Sequence, residues 1–431
     1  VDYTHQNLGG CTTASFLAGN CSKVISGYDY RNNDANPFDD HGHGTHVAGI
    51  IASTNDTYKG VAPAARIVAM KVCNAGGSCT DADVIAGIDR CVSNATIFNI
   101  SVISISLGGD QTDSFCDGDI GVVYVSSIDV AVQRNISVVI ATGNTNGANP
   151  NAAEGIAVPS CVRNATRVTA TTKSDVMASY AFRHKNFSDI LAAPGSSITS
   201  LNDGGGMVTL SGTSMSTPHV SGAILLLQQF QKLQHGSMVS AAQLKSTLNA
   251  TGISIDDSSG AGRNWSRIDV LKAIISLDDV APALMEVSPT PTNGSVQTSS
   301  IVVVNVTSSE TLREVVLEWN GTNETMGAGT TSVGTTIVIT KQNLSEGTYA
   351  FRVYGTDYAN HTTATAVRMV TVATNVTPLV TVSVPHVNGY YNALFMLNIT
   401  IDGSNLAGYH VTLTGLGNVS LMSWGNESVA A

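Results

Sequence analysis

The chain has 431 residues, 43% of them hydrophobic and 12% charged, with a formal net charge of -11. That length supports two or three domains with a large core. The acidic balance excludes a basic nucleic-acid footprint, and no apolar run reaches the roughly 18 residues that a membrane span needs.

Residues 1–40 are rich in turn chemistry, with Gly9, Gly10, Gly19, Gly27 and the run Arg31–Pro37, and read as loops. Asp39–Ala52 follows, with small residues at helical spacing, and predicts a helix packed closely on a neighbour. Arg66–Val72 predicts a strand, and Asp81–Val92 a helix with Val84, Ile85 and Ile88 on one side. Ile100–Leu107 predicts a strand, Ile128–Arg134 a helix and Val138–Ala141 a strand closed by Gly143-Asn144. This alternation means βαβ units and a parallel sheet, which binds ligands outside the carboxyl ends of its strands. Gly212–His219 delivers a serine to the start of an apolar run, Val220–Leu227, that reads as a buried helix. Free N–H groups and the dipole at such a helix start favour developing negative charge. An N-cap serine is the plainer reading of Ser214 taken alone. Ala241–Asn249 reads as a helix, and Asn264–Ile275 as a short strand with a final helix.

Near residue 277 the character changes. Pro282, Pro289 and Pro291 punctuate a linker over 277–291. Strand-like alternation follows in Ile301–Val306, Glu314–Trp319, Thr335–Ile339, Tyr349–Tyr354 and Ala366–Val372. It predicts a β-sandwich over 292–376. Leu394–Thr400 echoes Ile301–Thr307 and suggests a partial second sandwich over 377–431.

Two features point to an extracellular or cell-surface location. Nineteen Asn-x-Ser/Thr triplets occur from Asn20 to Asn426, against roughly seven for random placement. The seven cysteines all lie within the first 161 residues without metal-type spacing, which favours disulfides over zinc and leaves either one free thiol or one cysteine whose partner is outside this chain. Cys11 with Cys21 is a pairing that their closeness allows. Val1 is not a start residue, and the sequence reads as a fragment or processed piece.

Three segments stand in order: His43-Gly44-Thr45-His46-Val47-Ala48-Gly49, Ala141-Thr142-Gly143-Asn144 and Gly212-Thr213-Ser214-Met215-Ser216-Thr217-Pro218. With them the sequence resembles the subtilisin-like serine proteases, the subtilases, over residues 1–276. The resemblance implies a three-layer α/β domain with a parallel sheet, followed by all-β sandwich domains. It implies a secreted serine endopeptidase in which Ser214 is the nucleophile, His43 the general base and Asn144 an oxyanion donor. Ser106, Leu107, Gly108 and Gly109 would form a substrate-binding strand that pairs with an extended peptide. Ala141, Thr142 and Gly143 would form the other wall of the first specificity pocket. Val1–His5 resembles the segment that follows the triad aspartate, so that residue would lie upstream, with a pro-region, and Asp2 would be a second, non-catalytic acid. The resemblance implies no cofactor; calcium is common in the family, but the short Ser53–Gly60 loop gives no specific metal ligands. Expected partners are protein or peptide substrates.

Other readings stand beside these. His41, His46 and His219 suit structural roles, and Asp39 and Asp40 suit either substrate contact or a solvated acidic pair. A catalytically inactive surface or adhesion protein on the same fold is the alternative function. No acidic cluster near the pocket speaks for dibasic cleavage, so broad specificity is expected, with activity falling below roughly pH 6 to 7 as His43 protonates. The C-terminal sandwiches loosely resemble immunoglobulin-like or fibronectin type III repeats, through Leu344–Tyr349 and Asp357–Asn360.

Overall fold

The computed structural model describes residues 1–119, 122–146, 151–325, 330–333 and 335–374, and the strands 379–383, 398–402, 410–414 and 420–425. The chain divides into two compact units, Val1–Asp278 and Asp279–Ala431.

The first unit is a three-layer α/β domain. Strands β1 (Val24–Asp29) and β2 (Ile67–Lys71) form a parallel pair. A six-stranded sheet holds β3 (Val102–Ile105), β4 (Ser137–Ala141), β5 (Thr166–Thr171) and β6 (Leu191–Pro194) in parallel order. It is completed by β7 (Ile253–Ile255) and β8 (Trp265–Arg267), with β8 beside β6 and β7 outermost. Every residue of β4 and β5 is buried, as expected where helices cover both faces of a parallel sheet.

Six helices supply those covers: α1 (His43–Ala52), α2 (Asp81–Ser93), α3 (Val125–Gln133), α4 (Thr213–His235), α5 (Ala241–Thr251) and α6 (Val270–Leu277). Successive strand residues face opposite layers. Val138 and Ile140 join a core with Val84 and Ile88 of α2 and Ile128 of α3. Val139 joins the opposite core with Val220, Ile224 and Leu227 of α4. Helix α1 packs as closely as its small residues predict. A Cβ on Gly49 would lie 2.4 Å from Ser200 Oγ and 2.6 Å from Leu201 Cγ, so nothing larger than glycine fits there without movement.

Some elements differ from the sequence expectation. The segment 1–40 contains β1, which pairs with β2 although its glycine and turn residues read as loop. Ordering here comes from packing: Tyr3, Leu8, Phe16 and Val24 form a small core of their own. Strands β5 and β6, rich in Thr and Ala, carried no clear period because both faces are buried. Three disulfides join Cys11–Cys21, Cys73–Cys79 and Cys116–Cys161, and Cys91 is the buried free thiol.

In the second unit two sheets share one core. One contains Leu284–Val287, Val302–Ser308, Thr330–Val333 and Thr336–Lys341; the other is built on Glu314–Trp319, Gly347–Thr356 and Arg368–Val372. Val302, Val304 and Val306 of the first meet Val315, Leu317, Phe351 and Val353 of the second. Leu284–Val287 lies inside the predicted linker, yet pairs with Val302–Ser308. The flanking prolines hid it, and Leu284 adds to the shared core. Most of the expected second repeat falls outside the described residues; Leu379–Ser383 pairs with Asn398–Asp402, and His410–Thr414 with Ser420–Gly425.

Candidate active site

The site lies at the carboxyl ends of β3 and β4, against the first turn of α4. A cavity of about 1260 Å³ is lined there by His43, Ser106, Gly108, Gly143, Asn144 and Ser214, and it extends well beyond them.

Helix α4 begins at Thr213 and contains Pro218. Proline has no N–H, so the carbonyl four residues earlier, that of Ser214, lacks its helical donor. Ser106 replaces it: its Oγ donates to Ser214 O at 2.9 Å, and Ser214 Oγ donates back to Ser106 O at 3.2 Å. This reciprocal pair ties the candidate nucleophile to the end of β3. Among the described residues no hydrogen bond joins Ser214 to His43, although both line one cavity.

Asn144 is held by its oxygen. Thr213 N–H donates to Asn144 Oδ1 at 2.9 Å, which fixes the amide orientation and leaves Nδ2 as the group with protons to donate. Thr213 Oγ1 also accepts Gly143 N–H at 3.2 Å. The backbone at Gly143 is in the left-handed region at φ +97°, and a Cβ there would lie 2.7 Å from Phe182 Cδ2. Glycine is therefore required between Thr142 and Asn144 on both counts. Ala141 and Gly143 line the cavity. Thr142 does not: its side chain is fully buried and donates to Val168 O at 3.1 Å, because successive residues of β4 and its extension alternate in direction. The expectation that Thr142 contributes a pocket wall is corrected accordingly. Leu107 and Gly109 also reach the cavity, and Gly109 N–H donates to Val158 O at 2.9 Å.

His43 opens α1 and is half-buried. Burial lowers its pKa, the nearby His41 and His46 lower it further, and Asp39 partly offsets them. The turn leading to it is organised by Asp39. Its Oδ1 accepts the N–H groups of His41 at 3.1 Å and Gly42 at 2.9 Å, and its Oδ2 accepts Thr45 N–H at 2.7 Å. Burial alone would raise the Asp39 pKa, whereas the Thr45 hydroxyl and these N–H groups lower it. Burial takes Asp39 out of a solvated pair, whereas Asp40 is exposed and lines the cavity. Asp39 is a buried turn-builder, and Asp40 is salt-bridged to Lys71 at 2.6 Å.

His46 and His219 make backbone contacts. His46 Nε2 lies 3.1 Å from both Ile198 O and Val208 O, and His219 Nδ1 lies 2.8 Å from Met215 O. Asp2 accepts Thr4 N–H at 2.8 Å and Gly204 N–H at 3.0 Å. In the Ser53–Gly60 loop, Asn55 Oδ1 accepts Thr57 N–H at 2.9 Å and Tyr58 N–H at 2.8 Å. That oxygen is engaged by its own turn.

Sequence reasoning missed Thr213 and the Ser106–Ser214 exchange. Pro218, four residues after the serine, was the signal for the latter.

A family model described as the subtilase family, Peptidase S8, matches residues 1–269. The chain belongs to the subtilase family. Thermitase of Thermoactinomyces vulgaris is 33% identical over 263 residues, covering 60% of this chain and 82% of that protein. Alkaline serine exoprotease A of Vibrio alginolyticus is 37% identical over 226 residues, covering 52% of this chain but 38% of that protein. A subtilisin-like protease of Coccidioides posadasii is 35% identical, with 53% of this chain and 52% of that protein covered. The chain thus spans about half the length, or less, of these last two relatives. Among solved structures, the patellamide maturation protease PatA matches with a TM-score of 0.50 and 25% identity, covering 64% of this chain and 93% of that one. The prenylagaramide maturation protease PagA, at TM-score 0.51 and 23% identity, shares the fold. Every candidate site residue of this subtilase lies inside the matched region.

Proposed function

We propose that this subtilase domain is a serine endopeptidase acting outside the cell on protein or peptide substrates. Ser214 Oγ attacks the scissile carbonyl, and His43 accepts its proton and passes it to the leaving amine. The oxyanion that forms is met by Asn144 Nδ2 and the Ser214 backbone N–H at the dipole-positive start of α4. Ser106–Gly109 pairs with the substrate backbone, and Ala141 and Gly143 border the pocket for the residue preceding the cut. The triad carboxylate is assigned to the segment that precedes Val1 in a subtilase. The sandwich unit, immunoglobulin-like or fibronectin type III-like in this reading, serves as an extracellular appendage, and the excess of Asn-x-Ser/Thr triplets favours a glycosylated surface.

The observation that carries this reading is the clamp on Asn144. Thr213, the residue before the candidate nucleophile, takes the amide oxygen and leaves the amide protons over the cavity that Ser214 also lines. A simple turn asparagine would use its oxygen within its own turn. The test is fluorophosphonate labelling of the protein carrying its upstream segment, read by mass spectrometry. Modification of Ser214 that disappears in His43→Ala supports the enzyme reading. An unmodified Ser214 in the unsubstituted protein refutes it and leaves an inactive surface protein on this fold.

A further inference from the structure

The Asn-x-Ser/Thr triplets of the first unit are spread unevenly about its parallel strands. Among the described residues, nine asparagines lie in segments that leave the carboxyl ends, where Ser106, Gly143 and Ser214 also lie. Of these only Asn186 opens a triplet. Nine more lie in segments at the opposite end, and eight of them open triplets: Asn20, Asn55, Asn94, Asn99, Asn135, Asn164, Asn249 and Asn264. Random placement gives roughly two triplets in either group.

The fold separates the two groups. Asn20 leads into β1, Asn94 and Asn99 into β3, Asn135 into β4, Asn164 into β5 and Asn264 into β8. Asn55 follows α1, whose ten residues run about 15 Å away from His43. Asn249 O accepts the Ser266 hydroxyl at 2.7 Å, and Ser266 pairs with Leu191, the first residue of β6. Asn186 belongs with the other end, because its Nδ2 donates to Asp113 O at 2.9 Å, in the segment that leaves β3. Four asparagines of the larger set are reachable. Asn20, Asn164 and Asn264 are exposed, and Asn55 is half-buried with only its Oδ1 taken by its turn. Asn164 Nδ2 and Asn264 Nδ2 donate only to exposed partners, Asp129 Oδ1 at 2.8 Å and Ser254 Oγ at 3.2 Å. Asn135 is excluded, since its amide is engaged at both ends.

We propose that the first unit carries N-linked oligosaccharides at Asn20, Asn55, Asn164 and Asn264, and that this coat is one-sided, leaving the end with Ser214 bare. Each attachment takes its sugar from a lipid-linked oligosaccharide phosphate of the secretory route. The asparagine Nδ2 forms the bond to the anomeric carbon and loses one proton, while the bond from that carbon to the phosphate oxygen breaks. An oligosaccharide is bulky and hydrated. At the carboxyl ends it would crowd an extended chain approaching Ser106–Gly109, whereas at the opposite end it obstructs nothing there. The proposal rests on the extracellular reading above and adds its sites and their sidedness.

The test uses the whole protein isolated from its native source. Its proteolytic peptides are fragmented by electron transfer in a mass spectrometer, which locates an oligosaccharide on an individual asparagine. Oligosaccharide on two or more of Asn20, Asn55, Asn164 and Asn264, with Asn186 bare, is expected. Oligosaccharide on Asn186 at an occupancy comparable to that of Asn164 overturns the one-sided coat. Oligosaccharide on fewer than two of the four overturns the modification. The triplets would then be turn asparagines ahead of strand-starting Ser and Thr, a role that the left-handed backbone of Asn99 and Asn135 suits. Recovery of the protein from the medium or from the cell interior reports its location separately. Fluorophosphonate labelling of Ser214 is untouched by any of these results, so the peptidase reading and the sugar coat fail separately.

Discussion

The exchange between Ser106 and Ser214 lends itself to a double-mutant cycle, because Pro218 is what makes it necessary. In Ser106→Ala the Ser214 carbonyl loses the donor it receives at 2.9 Å. Leaving a part-buried carbonyl unsatisfied costs about 1–3 kcal/mol. In Pro218→Ala an N–H returns at the helical position for that same carbonyl, while the buried ring loses about 1–2 kcal/mol of packing. Combined, the new N–H serves the carbonyl that Ser106 no longer reaches. The double variant should therefore be about 1–2 kcal/mol more stable than the sum of the single losses. The cycle is best run in a Ser214→Ala background, which prevents self-digestion and keeps the carbonyl. Thermal unfolding is a suitable assay: for a unit of this size the coupling corresponds to roughly 2–8 °C. Additivity within about 0.5 kcal/mol would show that Ser106 does not stand in for the missing helical donor, and would refute the account.

Asn144→Leu should lower kcat about 10²–10³-fold with little change in KM, as for loss of one oxyanion donor; steady-state kinetics on a peptide amide would show otherwise if KM alone rises. In the protein carrying its upstream segment, His41→Gln should move the acid limb of kcat/KM upward, since His41 lowers the His43 pKa; a pH-rate profile would detect it. Cys116→Ser/Cys161→Ser opens a loop of 45 residues, worth about 4 kcal/mol by chain entropy, and should lower the melting temperature by roughly 8–16 °C. Asp257→Ala leaves Arg183 buried without the carboxylate that meets its Nε at 2.7 Å and Nη2 at 2.9 Å. A loss of about 3–5 kcal/mol in denaturant unfolding is expected.

What the sequence disclosed depended on whether a signal was local. The nucleophile segment was legible because Gly212–His219 is one continuous run leading into the apolar helix Val220–Leu227. The helix and strand alternation through Ala141 was legible from period alone. Strand β1 was not, since Gly27 and its neighbours look like turn residues until Tyr3 and Phe16, whose rings stack 4.3 Å apart, close a core around it. Asp39 was misread for a related reason: its partners are backbone N–H groups, which leave no mark in a sequence. Thr142 shows the converse failure, where membership of a motif hides which way a side chain faces. The triplet count has a similar blind spot. Asn135 belongs to an Asn-x-Ser triplet, yet its amide donates to Val239 O and accepts from Ala241 N–H, so its side chain already joins two segments.

All seven cysteines precede residue 162, and none occurs in the second unit. A thiol added during purification therefore acts on one half of the molecule only. Melting curves recorded with and without reductant would separate the two transitions, and would assign each to its half without cutting the chain.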